Sequence, residues 1–79
     1  MDTKERIIDI VSDKLGINKT EIKLENSLTE DFAADSLDVV EIIMGIEKDF
    51  GITIDDTEIS GIKTVGDVVD KIEKIRFGR

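Results

Sequence analysis

The side chain with the clearest chemical prospects in this chain is the hydroxyl of Ser36, within Asp35-Ser36-Leu37-Asp38. Asp35 is placed to cap a helix, and Asp38 follows three residues on, as a capping-box partner does. The apolar pattern after Ser36 is helical. The helix therefore fixes the serine backbone while the hydroxyl faces water. A nucleophilic serine needs a base within hydrogen-bond reach, usually histidine. The chain contains no histidine. No lysine lies near Ser36 in the sequence, and the surrounding acids oppose an alkoxide. These features argue against self-contained nucleophilic catalysis: no catalytic residue is expected, and the chain reads as not an enzyme. Two readings of Ser36 stay open, an ordinary helix-start residue or a hydroxyl that other proteins modify.

Composition narrows the partners. Net charge is −8, with three phenylalanines and no tryptophan or tyrosine. Such a chain repels phosphate and offers few stacking platforms, so no nucleic acid is expected. Partners with basic surfaces fit better, because complementary fields speed encounter. Cysteine is absent, which removes disulfides and thiolate metal sites. Neither residues 31–42 nor the Asp55-Asp56 segment has the alternating ligands of a calcium loop, so no metal site is expected. The first residues lack the pattern of a signal peptide. No apolar run approaches the roughly 18 residues that span a bilayer. The expectation is a cytoplasmic, soluble, monomeric protein and not a membrane protein, with residues 1–79 forming a single domain.

Helices must position the serine. The first is expected from about Lys4 to Leu15, with Ile7, Ile8, Val11 and Leu15 as its stripe and Gly16 as its stop. Residues 17–35 form a long connection. Ile17, Ile22, Leu24, Leu28 and Phe32 are spread along it and should pin it across the helix ends. The second helix is expected from Ser36 to about Phe50, stopped by Gly51. Residues 52–56 read as extended loop, leading to a helical turn near Thr57–Ser60. The last helix is expected from Val65 to about Ile75, with Thr64 and Asp67 as its capping box. The fold class is all-α: a small up-down bundle of three main helices plus one short helix, with a long first loop.

At about 100° per residue, the second helix has two distinct arcs. Val39, Ile42, Ile43, Ile46 and Phe50 make a core stripe. Leu37, Val40, Met44 and Glu47 fall on the serine's side, with Glu41 at the edge. A small apolar patch rimmed by acids has the character of a docking surface. The plainer reading is a wide apolar arc covered by the long loop, with the acids only steadying the helix N-terminus.

Asp31-Phe32-Ala33-Ala34-Asp35-Ser36-Leu37-Asp38-Val39-Val40-Glu41 resembles the attachment motif of acyl carrier proteins. The first-helix stripe, Leu28 in the loop, Glu47-Lys48-Asp49-Phe50-Gly51-Ile52 and Thr64-Val65-Gly66-Asp67 also resemble that family, so the likeness covers nearly the whole chain. The resemblance implies that a carrier-protein synthase (a phosphopantetheinyl transferase) moves phosphopantetheine from coenzyme A to Ser36. It implies that the arm's thiol holds an acyl chain as a thioester. Asp35 and the helix-two acids Asp38, Glu41 and Glu47 would meet basic patches on the synthase and on fatty-acid synthesis and acyl-transfer enzymes. Leu37, Val40 and Met44 would supply apolar contacts. The chain's cargo would shelter between helices, against Val39, Ile43, Ile46, Ile62 and Val68. The role implied is a stand-alone carrier for fatty-acid biosynthesis. A carrier of polyketide, D-alanyl or specialised lipid acyl groups remains an alternative, as does an unmodified acidic interaction module. Ala33 stands where the family usually has glycine, which matters if the position needs a positive φ. Asp55 stands where many members have proline, which is expected to loosen the segment before the third helix.

Overall fold

The structure is a computed structural model that describes residues 2–78. Its helices are α1 (Thr3–Leu15), α2 (Ser36–Phe50), α3 (Asp56–Ile59) and α4 (Val65–Phe77), with a 3-10 turn at Lys19–Glu21 between α1 and α2. Among the described residues there is no strand. Each boundary has a local chemical cause. Asp2 accepts the Glu5 N–H and starts α1 one residue before the expected position. Gly16 and Gly51 end α1 and α2 in the left-handed conformation, at φ 67° and 68°, where a side chain would be strained. The last helix runs two residues beyond Ile75 and closes on Gly78.

Two helix starts carry more detail than the pattern gave. α3 begins at Asp56 because Asp55 caps it: Asp55 accepts the Thr57 N–H, and Glu58 accepts the Asp55 N–H in return. Asp55 therefore orders the segment that it was expected to loosen. Its φ of −70° is one that proline also adopts, but only a residue with an N–H can close the second bond. At α4, Thr64 and Asp67 close the expected box, and Asp67 Oδ2 also accepts the Lys63 N–H. Those backbone bonds hold the Asp67 carboxyl below its ordinary value of 3.8. A depressed carboxylate stabilises the fold fully above its unfolded pKa, and that contribution is lost as pH falls through the folded one. Acid titration of wild type against Asp67→Asn should show the wild type losing more of its melting temperature below about pH 4. Parallel curves would remove this role from Asp67.

α2 and α4 both run against α1. Arg6 near the start of α1 pairs with Asp49 near the end of α2 at 2.8 Å, and Arg76 near the end of α4 donates to Thr3 Oγ1 at 3.1 Å. The two guanidinium groups lie 4.0 and 4.8 Å from the Phe50 ring centre, so cation–π attraction closes this end of the bundle. Between the helices, Ile7, Val11, Ile42, Ile46, Val65, Val68 and Ile72 are almost wholly buried. Each such side chain contributes about 1.5–3 kcal/mol by leaving water.

The long connection is held mainly by backbone. The N–H groups of Val65 and Gly66, in the first turn of α4, donate to the carbonyls of Asn26 and Leu24. Two donors that a helix start leaves open are thereby satisfied. Leu28 N–H donates to the Lys63 carbonyl, and Ser27 faces Thr64 as an isolated antiparallel bridge. Ile22 and Leu28 are buried and Ile17 and Phe32 half-buried, as their spacing suggested. Leu24 is 38 % exposed; its carbonyl, not its side chain, does the pinning. A Cβ at position 66 would lie 3.1 Å from that carbonyl, so Gly66 permits the close approach.

Candidate functional site

The loop delivers the chain to α2 through a strained turn. Ala33 has φ 55°, the one positive φ outside glycine among the described residues. The position where glycine was expected thus does adopt the backbone that favours glycine. Ala34 then buries its methyl and donates its N–H to the Leu28 carbonyl at 2.9 Å. A left-handed alanine costs about 1–2 kcal/mol, partly offset by the stiffer unfolded chain that alanine gives. Ala33→Gly should therefore raise stability by about 0.5–1 kcal/mol, or about 3–6 °C in melting temperature. A lower melting temperature would mean the turn is not strained.

Asp35 and Asp38 then close a reciprocal box. Asp35 Oδ1 accepts the Asp38 N–H at 2.9 Å, and Asp38 Oδ2 accepts the Asp35 N–H at 3.1 Å. Ser36 is the first helical residue inside this box and is exposed. Its backbone is fixed twice, by the box and by the helix. The chain's other serines are engaged: Ser12 donates to the Ile17 carbonyl, Ser27 Oγ accepts the Glu30 N–H, and Ser60 donates to the Thr57 carbonyl. Ser36 Oγ has no hydrogen-bond partner among the described residues. A covalent group on it would disturb no internal contact, so the residues present fit a serine-linked arm.

Along the same side of α2, Leu37, Val40 and Met44 are 63, 45 and 60 % exposed. The loop does not cover them. Glu41 is exposed, and its carboxylate has no hydrogen-bond or ion-pair partner among the described residues. Glu47 departs from the expected rim: it is half-buried, and its Oε2 accepts the Ile54 N–H at 2.7 Å. Its position on the serine's arc gave no sign of this bond, because the acceptor lies seven residues from the donor across a helix end. Of the residues expected around a sheltered chain, Ile43, Ile46 and Val68 are buried in the core, and Val39 and Ile62 are half-buried against it. Among the described residues, no group of acidic side chains is arranged to hold a metal ion. No helix is long and apolar enough to cross a membrane.

A helical domain that holds an unengaged serine at a helix start, beside an apolar and acidic face, has the form of a carrier module. Comparison with known proteins narrows the class. A family model described as a phosphopantetheine attachment site matches residues 5–72. A protein of Clostridium acetobutylicum named acyl carrier protein is 49% identical over 69 residues, 87% of this chain and 90% of the relative. One from Porphyromonas gingivalis with the same name is 45% identical over 73 residues, 92% of this chain and 94% of the relative. A solved Mycobacterium tuberculosis structure, described as a candidate acyl carrier protein, is 29% identical with a TM-score of 0.88, covering 96% of this chain and 100% of that one. The chain belongs to the acyl carrier protein family, whose prosthetic group is phosphopantetheine.

Proposed function

We propose that Ser36 bears the phosphopantetheine arm and that the protein shuttles growing fatty acyl chains between biosynthetic enzymes without catalysing a step itself. The arm, when attached, supplies the thiol that holds an acyl group as a thioester. One observation carries the assignment to Ser36: its hydroxyl is exposed and unengaged on a fixed helix start, whereas the other serines spend theirs on internal bonds. The Asp35–Asp38 box holds the serine still, so a synthase meets a preformed substrate. The intact mass after incubation with coenzyme A and a carrier-protein synthase tests the assignment.

Leu37, Val40 and Met44 offer an apolar docking patch, and Asp35, Asp38 and Glu41 a negative rim for basic enzymes. Methionine adapts to several partners. The reading places the chain as a monomer, 1–79 being one carrier domain, in the cytoplasm. Malonyl and aminoacyl donors in loading assays distinguish fatty-acid service from the other cargoes. Charge reversal of Glu41 should slow modification by about tenfold or more at low salt, with the difference shrinking as salt rises. Melting should stay within about 0.5 kcal/mol of wild type, since Glu41 is exposed. Equal modification rates would move the docking face elsewhere.

A further inference from the structure

Glu47 sits on the seam of α2. Ile43, one turn earlier, is buried, and Met44, three residues earlier, is 60 % exposed. The Glu47 carboxylate turns inward to the Ile54 N–H. This is the one side-chain hydrogen bond among the described residues between α2 and the segment leading into α3. That segment's other anchors are apolar packing, which includes half-buried Ile52, and the backbone bond from Ile52 N–H to the Glu47 carbonyl. α3 has four residues, too few to be stable alone. Ile54 is buried, and Ile59 and Ile62 pack half-buried against the core.

We propose that Glu47 is a cation-sensitive latch. A cationic side chain brought against the Leu37–Val40–Met44 face draws the carboxylate outward, off the Ile54 amide, and frees residues 52–62 to open from α2. The physical basis is competition for one carboxylate. Inside, it receives a hydrogen bond from a neutral amide. Outside, a docked cation offers a full charge, and the docking protein excludes the water that would screen it. Binding that favours the outward carboxylate necessarily shifts the population of the open segment. Glu47 is then a positioning residue, acting through Ile54, and one group couples docking to the mobility of α3. The source of the cation, a basic patch on a partner enzyme, rests on the carrier reading; the latch itself does not.

The full-length chain tests this through amide hydrogen exchange at Ile54, with Val11, Ile46 and Ile72 as core controls. Glu47→Ala should speed exchange at Ile54 by about tenfold or more and leave the controls unchanged. Met44→Arg places a cation three residues from Glu47 on the same side of the helix. It should speed Ile54 exchange likewise, and add nothing in a Glu47→Gln background, where the acceptor remains but its charge does not. A purely structural bond would not respond to Met44→Arg. Ile54 exchange within about twofold of wild type in that variant overturns the latch. Saturating carrier-protein synthase should have the same effect as Met44→Arg. Protection of Ile54 by the bound synthase overturns the link to docking, whereas failure of Ser36 modification is a separate result that counts against the carrier reading alone.

Discussion

Incubated with coenzyme A and a carrier-protein synthase, the wild-type chain should gain the mass of one phosphopantetheine, and Ser36→Ala should gain none. The expected effect is complete loss, because no neighbouring group can substitute. Ser36 carries the exposed hydroxyl inside the Asp35–Asp38 box, and its neighbours Asp35, Leu37 and Asp38 offer none. The chain has no histidine to take the serine proton. The chain's own contribution is a fixed backbone and an unengaged oxygen. Ser36→Ala should fold as wild type does, since Ser36 Oγ makes no internal hydrogen bond among the described residues and an exposed change of this kind stays within about 0.5 kcal/mol. Ser12→Ala provides the contrast. It breaks the bond to the Ile17 carbonyl, loses about 0.5–1.5 kcal/mol of stability, and should still be modified. An adduct that survives Ser36→Ala would overturn the assignment.

The contrast between α2 and the long loop shows what a sequence of this kind makes legible. α2 runs from Ser36 to Phe50, as its pattern indicated. Its cap, its stop and its periodicity all lie within a few residues of one another, and local signals of that kind survive without tertiary knowledge. The exposed arc of Leu37, Val40 and Met44 was legible for the same reason. The loop's apolar residues gave its docking but not its means. The Asn26–Val65 and Leu24–Gly66 bonds are between backbone groups, which every residue possesses, so no residue type announces them. Arg6 and Asp49 are 43 residues apart in sequence, and Arg76 and Thr3 are 73 apart, so no local pattern joins them. Glu47 was the instructive departure. Its angular position lies on the serine's arc, beside Val40 and Met44, and only the path of residues 51–54 turns its carboxylate inward. Ala33 went the other way: the glycine preference of the resemblance correctly located a left-handed backbone.

Leu28→Ala should be the most damaging single change to the loop, and its effect should reach Ser36. Leu28 is 1 % exposed. Its N–H donates to the Lys63 carbonyl, and its carbonyl accepts the Ala34 N–H. One residue thus joins the core, the entry to α4 and the residue two before Ser36. Truncating a buried leucine costs about 2–5 kcal/mol, a large part of the roughly 5–15 kcal/mol available to a native domain. Melting should fall by at least about 10 °C. Stability loss alone is not diagnostic, so the comparison is with Ile72→Ala, which removes an equally buried side chain in the second half of α4. Both variants should be assayed at the same interval below their own melting temperatures, where each is folded. Leu28→Ala should then accept phosphopantetheine more slowly than Ile72→Ala, and its Ala34 amide should exchange faster. The reason is that the Ala33–Ala34 turn loses its anchor, so the Asp35–Asp38 box must be ordered during the encounter with the synthase and not before it. Equal rates in the two variants would show that α2 alone positions the serine and that the loop serves only the core.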